Sequence, residues 1–413
     1  MKKKILSVLL AAAMAVSLAA CGGNGGGNAG SNAGGDAGQE SNAGDQGGAD
    51  ADVAGGDEGG APAGVTLDGS WPEETVKIGL CEYDNTSEQH LALRAYYDYL
   101  EEYFNIELIY SEDLTDAQSE LDFISSCAAA GCKAIIGRYN VTLEQAAQTA
   151  ADYGMYYWGG FGGDSAVYEK VKDNEYYLGG YTLGEAEYEA GRSLALALAE
   201  QGCEKVVLCS GGAAIGVEMF IQRRQGFLDG VEEANANGAN MEMVYEVEMF
   251  PGTDQFTAAQ TTVMGMDIDA IASTFDVAMW FQPIIDGGKM DSVSLACIGE
   301  VNDTYHDFFN SGLVTCVVYD CEETVFGNCI PMILNAVSGN KLVNADGSAI
   351  YFPVERFTVT TAEDFNTIYD LHESGQFLVT AEDVANLIIA LNPDMTAEKF
   401  MEYYGSFTID SVK

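Results

Sequence analysis

The chain is poor in positive charge. Only 18 of its 413 residues are Lys or Arg, against 64 Asp or Glu, leaving a formal net charge of −46. A nucleic-acid binder needs a basic stripe along the phosphate backbone, so DNA and RNA partners are excluded. Histidine is scarcer still: His90, His306 and His372 stand alone, and no Cys-x-x-Cys occurs, so zinc-ligand spacing is missing. Beyond the N-terminal leader no run of about 20 apolar residues appears, so the body is not expected to cross a membrane. Apolar and aromatic residues are plentiful. At 47% hydrophobic and 10% aromatic, the composition supports a large core and excludes global disorder. At roughly 150 residues per domain, the length suggests two domains with extra segments.

Lys2, Lys3 and Lys4 precede an uncharged apolar stretch that ends in Leu18-Ala19-Ala20-Cys21. The pattern is that of a secretory signal peptide over residues 1–20. Leu-Ala-Ala-Cys resembles the bacterial lipobox, which implies that Cys21 is lipidated, becomes the new N-terminus and holds the protein outside the cytoplasm at the cell membrane. Residues 21–69 then form the anchor and tether. Positions 22–64 hold 17 glycines and seven acids, with no aromatic, Lys or Arg. Nothing there offsets ordering entropy, and a flexible coil of this length spans roughly 35–40 Å. Nine further cysteines lie mostly within apolar runs, where thiols behave as small hydrophobes. Mostly unpaired buried thiols are expected, with room for one disulfide.

The body alternates strands and helices. Strands are expected at 76–81, 106–110, 132–136, 155–158 and 176–181, separated by apolar residues at helical spacing. The pattern then restarts, with helices at 184–201, 217–236 and 253–264 between strands at 206–209, 241–247, 270–272, 293–298 and 313–319. Helical crossovers between strands mean doubly wound parallel sheets. The tail carries three helix starts, Thr361-Ala-Glu-Asp364, Thr380-Ala-Glu-Asp383 and Thr396-Ala-Glu-Lys399. The first two approach a capping box.

The lipobox, the tether, Val76-Lys-Ile-Gly-Leu80, Ala129-Ala-Gly-Cys-Lys-Ala-Ile-Ile136 and Arg223-Arg-Gln-Gly-Phe227 together resemble the type I periplasmic binding proteins. The resemblance covers roughly residues 74–360. It implies an α/β protein of two doubly wound parallel-sheet lobes joined by a three-crossing hinge, with ligand trapped between the lobes. It also implies a monomer that needs no cofactor and captures sugars or related solutes for an ABC permease. The crossings would fall near 181–184, 319–322 and 340–355. Lobe one would be 74–182 with 321–340, lobe two 183–320 with 341–360, and 361–413 a helical C-terminal extension packed on the body.

In open parallel sheets, ligands bind outside the carboxyl ends of the strands. The loops at those ends are rich in aromatic and short polar residues. Candidate ligand contacts are Tyr83, Asp84, Asn85, Tyr139, Asn140, Trp158, Phe161, Thr182, Asp276, Asn302 and Asp320. Asp and Asn bond hydroxyls, while Trp, Tyr and Phe faces stack on sugar C–H patches. Arg223 is either a cleft donor or half of a helix-surface salt bridge. Sugar binders of this kind often show Asn-Asp and Gly-Phe-Asp where this chain has Phe275-Asp276 and Gly299-Glu300-Val301-Asn302, so ligand identity is not carried over. A neutral, hydroxyl-rich ligand is expected, because an anion would meet an acidic cleft with only Arg138, Arg223 and Arg224 to offset it.

Enzymatic patterns are weak. Gly163-Asp164-Ser165 lacks the Gly-x-Ser-x-Gly elbow, and Gly159-Gly-Phe-Gly-Gly163 fits neither phosphate-loop nor dinucleotide spacing. A binding protein without catalytic residues or metal is therefore expected. A surface sensor or adhesin of the same fold, or a nucleoside-binding lipoprotein, are the alternatives.

Overall fold

The carboxyl-terminal strand ends and the chain crossings that position the site follow from two similarly wound sheets. The structure is a computed structural model that describes residues 61–62, 64–139, 142–162, 165–182, 184–352 and 356–412. The leader, Cys21, most of the tether, Asn140 and Asp164 lie outside the described residues.

The first sheet contains β1 (Val76–Cys81), β2 (Ile106–Tyr110), β3 (Ala134–Gly137), β4 (Tyr156–Gly162) and β5 (Tyr177–Thr182), in the spatial order β5-β4-β3-β1-β2, all parallel. Its crossovers are α1 (Glu88–Tyr103), α2 (Ala117–Ala130), α3 (Leu143–Asp152) and α4 (Ser165–Val171). The second sheet repeats the order as β10-β9-β8-β6-β7, from β6 (Lys205–Cys209), β7 (Glu242–Val247), β8 (Ala270–Ser273), β9 (Ser294–Gly299) and β10 (Val314–Tyr319). Around it run α5 (Gly184–Glu200), α6 (Glu218–Ala236), α7 (Asp254–Met264), α8 (Phe281–Asp286) and α9 (Asp303–Asn310).

Strands covered on both faces read as continuous apolar runs, which is why Val206-Val-Leu-Cys209 and Ala134-Ile-Ile136 are fully buried. Helix ends follow local chemistry. Asp116 and Ser119 form a capping box at the start of α2, and Gly131, at φ 82°, closes it in the left-handed region. The nine body cysteines are all buried thiols.

After β10 the chain returns to lobe one through α10 (Glu322–Val325) and α11 (Cys329–Val337), the latter packed on β4 and β5. Here the expected lobe boundary shifts. β11 (Ile350–Phe352) pairs in parallel with β5, placing Ile350 opposite Gly179 and Tyr351 opposite Gly180, so 341–352 belongs to lobe one. Only β12 (Phe357–Val359) joins lobe two, antiparallel to β10. The reason is a backbone approach that sequence periodicity does not reveal. A Cβ at Gly179 would stand 1.7 Å from the Ile350 carbonyl oxygen.

The three threonines of the tail each cap a helix: α12 (Ala362–Glu373), α13 (Ala381–Asn386) and α14 (Ala397–Gly405). Thr380 and Asp383 form the full capping box. The extension packs on both lobes. Phe365 and Ile368 of α12 enter the lobe-two core beside Phe309, whereas Val384, Leu387, Phe400 and Tyr404 enter the lobe-one core. Val412 returns to lobe two. Among the described residues no helix is long and apolar enough to cross a membrane.

Candidate functional site

Three buried charged groups gather at the carboxyl ends of the strands. In lobe one, Glu82 follows β1 and is fully buried. Its Oε2 accepts from Arg138 Nη1 at 2.5 Å and pairs with His90 Nδ1 at 2.9 Å, while Oε1 accepts the Tyr83 N–H at 2.9 Å. Arg138, one residue past β3, also donates to Gln89 Oε1 at 3.3 Å and lies 4.5 Å over the Phe326 ring. A buried ion pair survives desolvation only when its remaining donors and acceptors are matched, and most of these are.

In lobe two, Glu187 of α5 is held between two guanidinium groups, those of Arg223 and Arg356. Arg356 Nη2 reaches Glu187 Oε1 at 2.7 Å, and its Nε meets Asp320 Oδ1 at 2.5 Å. Arg223 Nη1 donates to the Thr274 carbonyl at 2.7 Å. Burial penalises the Glu187 carboxylate, but Arg223 and Arg356 outweigh it and hold its pKa below the usual range. The close packing of α5 on α6 seats this network, since a Cβ at Gly226 would lie 1.9 Å from the Tyr188 carbonyl oxygen. Glu187 follows the first crossing, Asp320 lies on the second and Arg356 on the third. One charge network therefore ties all three.

The third group is Glu322, which opens α10 just past the second crossing. It is 2% exposed, and neither carboxylate oxygen makes a well-aligned hydrogen bond, although the Gln89 amide lies beside it. Burial, and then the Glu300 carboxylate at the end of β9, push its pKa well above the carboxylate range, with Arg138 offsetting only part. Tyr83 faces Arg138, Glu82, Glu322 and Glu300, and burial pushes its hydroxyl up to about 12. The ends of β1, β3, β9 and β10, from both lobes, thus converge on one polar region.

Lobe two adds an aromatic cluster. Phe220, Phe250 and Phe275 pack with ring centroids 5.4–5.9 Å apart, next to β6, β7 and β8. Gly211 and Gly212 make room, since a Cβ at Gly212 would come 2.6 Å from the Phe220 ring. Half-buried phenyl faces at strand ends suit the C–H face of a ring-shaped solute.

The sequence-derived candidates divide. Tyr83 and Asp320 lie in the converging region. Arg223 is buried in the Glu187 network, which fits neither a free cleft donor nor a surface salt bridge. Trp158 is a correction: it is fully buried, donates Nε1 to Asn328 Oδ1 at 3.0 Å and packs edge-on to Phe326, so its faces belong to the core. Strand β4 is covered on both faces, so Trp158 and its neighbour Tyr157 are both buried, in different core clusters. Asp84 closes a turn onto Thr86 at 2.9 Å, Asn85 ties the first loop to Asp113 at 2.8 Å, and Asn302 caps α9 through the Tyr305 N–H. Asp276 accepts from the Ala278 N–H at 2.5 Å and from Tyr305 Oη at 3.0 Å. These four are spent on local structure. Tyr139 faces Asp116 and Glu120 instead of Arg138. The side chains of Phe161 and Thr182, like Asn140, lie outside the described residues. Glu82, Glu187, Glu300, Glu322 and Arg356 were missed; the one available signal was position, a charged residue directly at a strand end in Glu82 and Glu300. A surface depression of about 480 Å³ between α2, α3 and α4, lined by Glu144, Gln148 and Lys170, lies on the outer face and brings no convergent chemistry.

No protein-family model and no curated protein matches the sequence. Solved structures do match. A periplasmic solute-binding protein of an ABC transporter from Actinobacillus succinogenes, with bound D-allose, aligns with a TM-score of 0.57 at 17% identity, over 70% of this chain and 99% of its own. This chain has the type I periplasmic binding protein fold. The binding-protein fold recurs in an ABC transporter solute-binding protein from Bacillus halodurans with bound myo-inositol, at TM-score 0.55 and 16% identity over 73% of this chain and 98% of that one. A third, from Bradyrhizobium sp. with bound bis-tris, aligns at 0.57 and 14% identity over 76% and 89%. These neighbours are almost fully covered while about a quarter of this chain is not, so it carries segments beyond the shared binding-protein fold.

Proposed function

We propose that the chain is an extracytoplasmic solute receptor that captures a small hydroxyl-rich solute between its lobes and delivers it to an ABC permease, tethered to the membrane by lipid on Cys21. The observation that carries this reading is the convergence of polar side chains from both lobes at their strand ends, across three chain crossings. The sugar and polyol ligands of the allose- and inositol-bound neighbours support the ligand class. The leader, Leu18-Ala-Ala-Cys21 and the glycine-rich tether support the anchor.

Hydroxyl groups suit the site because they donate to carboxylates and accept from Tyr83, while the phenyl cluster accepts a ring face. Lobes joined by three short crossings close by hinge motion, and a permease that reads the closed state receives only loaded receptor. Thermal-shift screening of the purified chain against sugars, polyols, nucleosides and amino acids tests the reading. Ligand at a hundredfold excess over Kd stabilises by about 2.7 kcal/mol, so a sugar or polyol hit is plainly visible. Response to amino acids alone would overturn the ligand class. For the anchor, the Cys21→Ala protein should leave the membrane fraction, since the lipid supplies the membrane affinity.

A further inference from the structure

The cations near the site are already committed. Arg138 pairs with Glu82, Arg223 with Glu187, and Arg356 with Glu187 and Asp320. Glu322 is left buried at the junction of the lobes with neither oxygen in a well-aligned hydrogen bond, only the Gln89 amide lying beside it, and the Glu300 carboxylate faces it from lobe two. Native proteins rarely leave a buried acceptor unmatched, because the desolvation cost is not recovered. A neutral hydroxyl would give Glu322 one hydrogen bond and no countercharge. An ammonium supplies three N–H donors and a positive charge together. A metal ion would serve the charge equally, but among the described residues no group of three or more His, Cys, Asp or Glu could hold one.

We infer that the solute is a hydroxyl-rich amine, such as an amino sugar, whose ammonium group docks on Glu322 against Glu300. This deepens the receptor reading above and rests on it. It departs from the expectation of a neutral ligand, which weighed the scarcity of cations only against an anion. The groups facing Glu322 are Arg138, Gln89 and Tyr83 from lobe one, Glu300 from lobe two, and Asp320 and Tyr319 from the second crossing.

Calorimetry of the purified chain with D-glucosamine against D-glucose, and D-galactosamine against D-galactose, tests the inference. The amine of at least one pair should bind at least about tenfold more tightly than its neutral counterpart. Glu322→Gln, isosteric and uncharged, should abolish the preference for the amine. Glu300→Gln should weaken the preference, and serves if the first variant does not fold. Equal or weaker binding of the amines, or a preference that survives Glu322→Gln, would overturn the inference and leave the receptor reading standing. Binding of neither class would overturn both.

Discussion

Glu322 and Glu323 are consecutive residues of one short helix, both about 2% exposed, and they meet opposite surroundings. Glu323 faces the C-terminal extension. Its Oε1 accepts from the Leu378 N–H at 3.2 Å and lies 3.2 Å from His372 Nε2, and its Oε2 accepts the Cys321 thiol at 3.2 Å. Glu322 faces the junction of the lobes and has no such partners. Burial raises both carboxyls, but His372 and the other donors reverse the effect at Glu323, whose pKa ends below the ordinary value, while Glu300 adds to it at Glu322. The same residue type, one position apart, is tied into the architecture on one face and left without well-aligned donors on the other. What separates them is whether the chain supplies its own donors.

The largest expected effects lie on the architectural side. Trp158→Ala should cost about 3–5 kcal/mol in denaturant unfolding, as for other buried aromatics, without changing solute affinity of the folded fraction. A specific loss of affinity at unchanged stability would return Trp158 to the site. Glu323→Ala strands His372 and the Leu378 N–H, and should cost about 2–3 kcal/mol. Hydrogen exchange should then rise selectively in residues 362–412, where the extension loses its tie to α10.

Glu322→Gln should act with the opposite sign. A carboxyl raised in the folded state binds more protons there than when unfolded, so its contribution worsens as pH climbs above the ordinary value of 4.5. Replacing it should therefore stabilise by about 1 kcal/mol at pH 8, with the gain vanishing toward pH 4, as read from paired urea titrations. A destabilised Glu322→Gln protein at pH 8 would show that the carboxylate has an internal partner after all.

The smallest effect concerns His372. Burial lowers its pKa, but Glu323 raises it further, leaving it above 6.5. Its contribution is complete below 6.5 and lost as pH rises through the folded value, while that of Glu323, which is lowered, is complete above 4.5 and lost as pH falls below it. The tie should be firmest between 4.5 and 6.5. His372→Gln should remove the alkaline decline in melting temperature and leave the acid side in place.

Much of the fold was legible in residue order. Apolar runs bounded by glycine placed ten strands within a few residues, and Thr361, Thr380 and Thr396 marked three helix starts correctly, because both signals are local. The boundary of the third crossing was not legible, since it depends on Gly179 letting Ile350 approach from far along the chain. For the candidate residues, a place at the strand ends was legible and the use of each side chain was not. Asp84, Asn85, Asp276 and Asn302 have the chemistry of sugar ligands, yet that same chemistry closes turns and caps helices, and here the local use prevails.

Residue order by itself determined the class of fold, the acidic character and the position of the strands and helix starts. These follow from hydrophobic period, capping and composition, which act over a few neighbours at a time. Only the tertiary structure decided which charges are spent. Arg138 and Glu82, Arg223 and Glu187, or Glu323 and His372 lie dozens of residues apart, and a carboxylate's energy depends on the donors and water around it in space. That is why the sequence places Glu322 and Glu323 side by side as equals, and folding alone makes one of them a pillar and leaves the other waiting for a partner from outside.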